Sequence, residues 1–342
     1  MSGLEVFLDD TPGETRGVVV RNGRFEHLII QGDRDVAQHR LGARSVGRIV
    51  DVQAGMKGAF VDLGATPPFG FLPFGPGAPL AVGQKVEVEV TAEPRAGKGP
   101  TLRRRGAGEG EPRLLAEGPS VEQILATLAP GQVPVRGLAA IQAGLEAEEE
   151  ALRDGGQFGD IGLDVCVQRT RALIAVDLDL VPGASRGKGG RARDIANRQG
   201  LIEAARLIRL KSWGGLVAID LVGVGHDGAT ILADARTAFG TDKDVVYGPV
   251  NRFGVLQLAL PWRRTPLEER LAQYWPVWRS AVNMTRALRR AMLSDTSSPQ
   301  IIAACHAQVA DAARPLISAL GPRAGLVIDP ASAPGHFRID PV

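Results

Sequence analysis

Apolar and polar positions alternate through much of the first hundred residues. "GVVVRNGRFEHLII" (17–30) sets two strand-like runs on either side of Asn22-Gly23. Both central positions of the favoured two-residue turn need positive φ, so this pair predicts a β-hairpin. "SVGRIVDVQAGMKGAFVDLGATPPFGFLPF" (45–74) breaks into several short strands at Gly- and Pro-rich turns, and "GQKVEVEVTAEPRAGKGPTL" (83–102) adds another alternating strand. Short strands at this spacing predict a small barrel. Residues 103–119, rich in Arg, Gly and Glu, read as a loop.

The pattern then turns helical. Ser120-Val121-Glu122-Gln123 reads as a capping box opening a short helix that stops near Pro130-Gly131. Residues 138–156 predict a second helix closed by glycine, with the acidic run 146–150 as its wet face. From 157 the order is strand, strand, basic loop, helix, strand. "IGLDVCVQRT" and "RALIAVDLDL" read as paired strands. "ARDIANRQGLIEAARLIRLKSW" places apolar residues at 195, 201, 202, 205 and 208, close to the helical period. "LVAID" (216–220) is a second buried strand, a helix follows near 228–240, and "DVVYGPVNRFGVLQLAL" reads as further strand. Residues 266–342 predict helices, then "AGLVID" and a polar tail.

Length and composition set bounds on this plan. The 342 residues allow two or three domains, and 44% hydrophobic residues can bury a sizeable core. No run approaches about 18 consecutive apolar residues, so no transmembrane helix is expected. The acidic N-terminus lacks the basic and apolar regions of a secretory signal. Two distant cysteines, Cys166 and Cys305, form no CxxC pair, which argues for a reducing, cytoplasmic setting and against structural zinc. The net charge is +2, but residues 186–211 carry eight basic side chains against two acidic ones, and "KGPTLRRR" (98–105) forms a second basic cluster. Such runs are solvated faces or a polyanion track, and composition does not choose between them.

Two apolar strands end on acid: "LIAVDLD" in Asp177 and Asp179, and "LVAID" in Asp220. Side chains alternate along a strand, so Asp177 and Asp179 share a face. Asp220 reaches the same rim if the intervening helix is a crossover between neighbouring parallel strands. Carboxylates at one rim repel. A hard divalent cation relieves this, and magnesium takes one or two carboxylates plus waters and a phosphate. The alternative is a set of solvated strand ends whose acids cap the next turn. No Ser-His-Asp or Cys-His pairing stands out for nucleophilic catalysis.

In order along the chain, several motifs resemble the ribonuclease E/G family. "VDLD" (176–179) and "GGLVAID" (214–220) are similar to its two acid-tipped strands, and "NRQGLIEAARLIRLKSWGG" to the helix between them. "NRFGVLQL" (251–258) resembles a downstream family motif, and 47–74 resembles the family's inserted RNA-binding barrel. The resemblance covers about residues 15–104 and 157–270. It implies a multi-domain α+β and α/β fold. Residues 1–38 would be N-terminal strands of an RNase H-like part, and 39–104 an OB-fold RNA-binding domain inserted in it. A reduced RNase H-like and sensor region (105–170), a DNase I-like catalytic subdomain (171–272) and a small C-terminal α/β domain (273–342) would follow.

The resemblance also implies roles. Asp177 and Asp220 match the magnesium-binding carboxylates, with manganese as a substitute metal. Asp179 stands where the family has an asparagine, and an ionised aspartate cannot donate a hydrogen bond. The implied activity is hydrolysis of single-stranded RNA to 5′-phosphate ends, in RNA processing (including that of rRNA) or decay. Phe60 and Phe71 match exposed aromatics that stack bases, and Lys98 a lysine beside them. Lys188, Arg191 and Arg193 lie in the Gly-rich basic loop, and Arg252 and Phe253 in "NRFG", as further candidates for RNA contact. About 70 residues replace the family's long sensor region, and its Arg-Thr motif is not found, so cleavage should not depend on a 5′-monophosphate. The zinc link and the C-terminal scaffold are missing. No zinc and no degradosome platform are expected, and dimerisation through other contacts stays open. Two competing readings remain: a non-catalytic RNA-binding protein with a degenerate site, and a nuclease acting on DNA.

Overall fold

The computed structural model describes every residue except 1–2, 76–78, 160, 182–189, 241 and 275, and the backbone alone at 190 and 191. The fold is α+β. The chain divides into two units, residues 1–148 with 265–342, and residues 149–264.

The first unit begins with an antiparallel meander, β1 (Leu4–Asp9), β2 (Glu14–Arg21) and β3 (Arg24–Gly32). Asn22 and Gly23 take positive φ of 51° and 73°, making the predicted tight turn. Next comes a closed five-strand barrel of OB-like pattern: β4 (Arg44–Gln53), β5 (Gly58–Asp62), β6 (Gly70–Pro73), β7 (Lys85–Ala92) and β8 (Thr101–Ala107). The strands run in spatial order β4-β5-β6-β8-β7 and return to β4, with β6 and β8 parallel. The alternation of "KVEVEV" turns Val86, Val88 and Val90 inward with Ala59, Val61, Leu72 and Leu102.

Part of the predicted loop at 103–119 is strand. It holds the end of β8 and β9 (Arg113–Ala116), which adds to β4. The outward side chains there are charged, so no apolar alternation marks the strand. Glu89 accepts from Arg103 at 3.0 Å and also pairs with Arg105. Helix α1 (Val121–Leu128) opens with the predicted capping box: Gln123 N donates to Ser120 Oγ at 3.2 Å, and Ser120 N to the Gln123 side chain at 2.9 Å. It buries Val121, Ile124 and Leu125 with Val6, Leu8, Val19 and Ile29 of the meander. Helix α2 (Leu138–Leu152) stops before Gly155-Gly156, which begin the next strand.

The second unit is a six-stranded sheet of β10 (Gly155–Phe158), β11 (Leu163–Arg169), β12 (Ile174–Leu180), β13 (Gly215–Asp220), β14 (Val246–Tyr247) and β15 (Val255–Leu260). Its order is β10-β11-β12-β13-β15-β14. Only β12 and β13 pair in parallel, because helix α3 (Gly190–Leu210) carries the chain across between them. Helix α4 (Gly228–Phe239) follows β13. One sheet face is apolar and covered: Val165, Val176, Leu178, Ile219 and Leu256 pack with Ala196, Leu201, Leu207 and Ile208 of α3 and Ile231 of α4. The helical period of α3 is as read, with Leu201, Ala205 and Ile208 buried, but two of the apolar positions fall outside the covered stripe. Ile195 is 50% and Ile202 38% exposed, while Ala196 and Ala204 are buried.

The C-terminal part of the first unit has α5 (Leu267–Ala272), α6 (Val277–Ser294), β16 (Ile301–Cys305), α7 (Ala307–Ser318), β17 (Ala324–Ile328) and β18 (Phe337–Pro341). The sheet order is β17-β16-β18. "AGLVI" forms a strand, and the polar tail ends in another, with Phe337 and Ile339 as its inward pair. Strand β16, "IIAAC", is short and wholly apolar, a run whose periodicity cannot separate strand from helix. Helix α6 turns Arg279 and Arg286 inward. Both reach Glu14, and Arg286 Nε donates to Asp9 at 2.7 Å.

Candidate active site and nucleic-acid face

Strand β12 has the sequence "IAVDLDL", with Ile174, Val176 and Leu178 buried and Asp177 and Asp179 exposed on the opposite face. Parallel pairing with β13 sets Asp177 opposite Asp220, itself exposed at the end of its strand. Antiparallel pairing with β11 sets Asp179 opposite Asp164 and Asp177 opposite Cys166. A fourth carboxylate on this face, Asp164, is the second residue of β11 and carries only the period-2 signal in the sequence.

The electrostatics follow from this register. Burial, then the carboxylates of Asp220, Asp179 and Asp164, raise Asp177 above the ordinary aspartate range. Burial and then Asp154, Asp177 and Asp164 likewise push the Cys166 thiol up, away from a nucleophilic thiolate. Among the described residues, neither Asp177 nor Asp220 has a hydrogen-bond or ion-pair partner. Asp179 accepts from the Leu180 N–H at 2.7 Å.

Among the described residues, no group of three or more His, Cys, Asp or Glu side chains is arranged to hold a metal ion. Magnesium needs less from a protein: one or two carboxylates, with water and phosphate completing its shell. Asp177 and Asp220 are hard oxygen donors on strands about 4.8 Å apart. Unpartnered and mutually repelling, they fit that requirement.

Helix α3 fixes the segment that follows Asp220. Asn197, fully buried, donates to Val222 O at 3.3 Å and accepts from Val222 N at 2.8 Å. Arg193 donates to Val224 O at 2.6 Å. Gly200 lets the helix close on β12, since a Cβ there would lie 2.6 Å from Leu178 Cδ1. Asn197 and Gly200 were missed, although a lone polar side chain and a glycine within an otherwise apolar helical stripe are visible signals.

The basic stretch 186–211 divides. Lys188 and the side chain of Arg191, both candidates for phosphate contact, lie outside the described residues. Every described basic side chain in the stretch has a protein partner. Arg193 holds the loop, Arg198 pairs with Asp234 at 3.0 Å, and Arg206 with Glu203 and Glu150 at 2.8 and 2.7 Å. Arg209 donates to Ala238 O, and the buried Lys211 to Ala151 O and Arg153 O. The described part of this run is scaffolding, and Arg193 is a loop clamp.

On the barrel, Phe60 and Phe71 stand directly opposite each other on β5 and β6, half-buried, with ring centroids 5.6 Å apart in an edge-on arrangement. They point away from the barrel core, whose neighbours in sequence, Ala59, Val61 and Leu72, point in. Gly58 makes room: a Cβ there would collide with the Phe71 ring. Lys98 is exposed in a turn ahead of Thr101, and Thr101 pairs with Phe71. It has no carboxylate partner among the described residues. Phe69 and Phe74, 42% and 43% exposed, extend the aromatic surface and were not singled out. Arg252 and Phe253 lie in the turn that opens β15, whose first residue, Val255, pairs with Asp220.

No helix among the described residues is long and apolar enough to cross a membrane. No protein-family model matches the chain, and no curated protein matches it.

Proposed function

We propose that the chain is a magnesium-dependent endoribonuclease of the ribonuclease E/G type that hydrolyses single-stranded RNA to leave 5′-phosphate ends. One observation carries the reading: Asp177 and Asp220 face each other in register on adjacent parallel strands, with no protein partner among the described residues. On this reading the DNase I-like catalytic part, expected over 171–272, also takes in β10 and β11, which share its sheet, and the β1–β3 meander belongs to the RNase H-like part. Magnesium, or manganese in its place, supplies an activated water and neutralises charge developing on the phosphate.

The chain's own residues do the rest. Asp177 and Asp220 hold the cation. Asn197 and Arg193 fix the loop beyond Asp220, which keeps the carboxylate from drifting off the strand axis. Phe60 and Phe71 offer ring surface to unpaired bases whatever their sequence. Lys98 offers a free cation to the backbone. The reading includes no zinc and no dependence on a 5′-monophosphate, and it places the activity in cytoplasmic RNA processing or decay. A non-catalytic RNA-binding protein is the second reading, favoured by Asp179, which adds repulsion where a donor would orient Asp177.

The test is cleavage of 5′-labelled, AU-rich single-stranded RNA with magnesium and with EDTA, beside Asp177→Asn and Asp220→Asn. Magnesium-dependent cuts lost in either variant, at equal rates on 5′-phosphate and 5′-hydroxyl ends, support the proposal. RNA that is bound but never cut, with magnesium or manganese, leaves the binding-protein reading. Cuts in DNA but not RNA would place the same carboxylates in a DNA nuclease.

A further inference from the structure

Phe253 has no packing role that its exposure would allow: 70% of it faces solvent. Its turn is nevertheless tightly held. Asn251 Oδ1 accepts from Phe253 N at 2.9 Å and from Val255 N at 3.1 Å, and Gly254 N donates to Asn251 O at 3.1 Å. Gly254 takes a φ of 84°, which a side chain would resist. The ring is therefore displayed from a rigid support.

Its neighbours fix what it can meet. Val255 is the register partner of Asp220, so the turn that carries Phe253 adjoins the strand end that carries a carboxylate of the site. The Arg252 guanidinium sits 4.8 Å from the Phe253 ring centroid, exposed and without a carboxylate partner among the described residues. An exposed ring with an unneutralised cation beside it matches the two surfaces of one nucleotide, an apolar base and an anionic phosphate.

We propose that Phe253 and Arg252 form a nucleotide-binding step beside the scissile phosphate. Phe253 stacks the unpaired base next to the cut, and Arg252 meets a backbone phosphate of that nucleotide. The inference rests on the RNA-cleavage reading of Asp177 and Asp220 and adds a source of single-strand selectivity. A base inside a duplex has both faces already stacked, so the ring has nothing to hold.

The experiment is an abasic scan. A single-stranded RNA carrying one abasic nucleotide, moved stepwise along the sequence, is titrated with the full-length protein in EDTA and then cleaved with magnesium. Wild type, Phe253→Ala and Phe253→Tyr are compared. An abasic nucleotide at one position next to the cut should weaken wild-type binding and lower kcat/KM by about 5- to 150-fold, the span of one stacked base. Phe253→Ala should show that loss on intact RNA and no further loss at the abasic position, while Phe253→Tyr stays close to wild type. An abasic penalty that persists undiminished in Phe253→Ala, or intact RNA bound as tightly by Phe253→Ala as by wild type, overturns the inference alone. RNA that binds but is not cut overturns the catalytic reading and with it the placement beside a cut. RNA that does not bind overturns both.

Discussion

Asp177 and Asp220 are directly opposite each other on β12 and β13, the one parallel pair among the neighbouring strands of their sheet. The α3 crossover makes the strands parallel, and parallel strands bring both C-terminal ends to one rim. Register does the rest. A slip of one residue would send Asp177 to the covered face, among Val176, Leu178 and the α3 side chains, where an ionised carboxylate is costly. The apolar alternation of "IAVDLDL" thus fixes the acid pair as firmly as it fixes the core.

This relationship sets carboxylate function against stability. Asp177 is raised above the ordinary aspartate range by burial and its acidic neighbours. An acid raised in the folded state favours folding while protonated, and that contribution is lost as pH rises above its unfolded value. Asp177→Asn should therefore melt slightly above wild type in EDTA at pH 7.5, by up to about 0.5 kcal/mol for an exposed like-charge contact. The gain should vanish near pH 4. Magnesium should raise the melting temperature of wild type but not of Asp177→Asn with Asp220→Asn. Thermal melts across pH, with and without magnesium, check all three outcomes.

Asp179 adds to the same repulsion and, among the described residues, accepts only from Leu180 N. Asp179→Asn removes one negative charge and adds an amide donor on the face of Asp177. The half-saturating magnesium concentration for cleavage should fall, by roughly twofold to fivefold for a contact of a few tenths to about 1 kcal/mol. A magnesium titration of the cleavage rate measures it. An unchanged or higher requirement would make Asp179 a metal ligand in its own right.

The aromatic pair predicts a clean separation of binding from folding. Phe60 and Phe71 lie outside the barrel core, so replacing either by alanine should cost little stability. Each should weaken single-stranded RNA binding by about 1–3 kcal/mol, and the double variant by less than the sum, because the rings touch. Fluorescence anisotropy with a short RNA, beside a thermal melt of each variant, gives both numbers.

Much of this was legible in the chain because local chemistry and tertiary role agree. Asn22-Gly23 can hardly be other than a tight turn, Ser120 and Gln123 cap a helix through their own atoms, and the two acid-tipped strands keep period 2 to their ends. What was not legible depends on partners distant in sequence. Arg103 and Arg105 read as loop because their strand's outer face is satisfied by Glu89. Arg206 and Lys211 read as an open basic surface because nothing local reveals the buried carboxylates and carbonyls that receive them. Ile195 read as core because Ala196 and Ala204, small residues with weak apolar signal, are what pack under the helix.

Glu14 gives the strongest acid-stability prediction. It is 4% exposed, accepts from Arg16 Nε at 2.7 Å and from Arg286 at 3.0 Å, and also bonds Arg279. Burial pushes its carboxyl up, but Arg16, Arg286 and Arg279 together outweigh that and bring it to about 2. A depressed acid stabilises the fold above its unfolded value, and that contribution is lost as pH falls toward the folded one. Below about pH 4 the unfolded chain takes up the proton first, so wild type should weaken steeply from there to about pH 2. Glu14→Gln keeps an acceptor but leaves three buried guanidinium groups short of one negative charge, at a cost of about 3–5 kcal/mol at pH 7. Urea unfolding of both proteins at pH 7 and pH 3 is the measurement. The stability gap should narrow at pH 3. A gap of equal size at both pH values would mean that Glu14 holds α6 to the meander by shape and neutral hydrogen bonding, and that its charge contributes nothing.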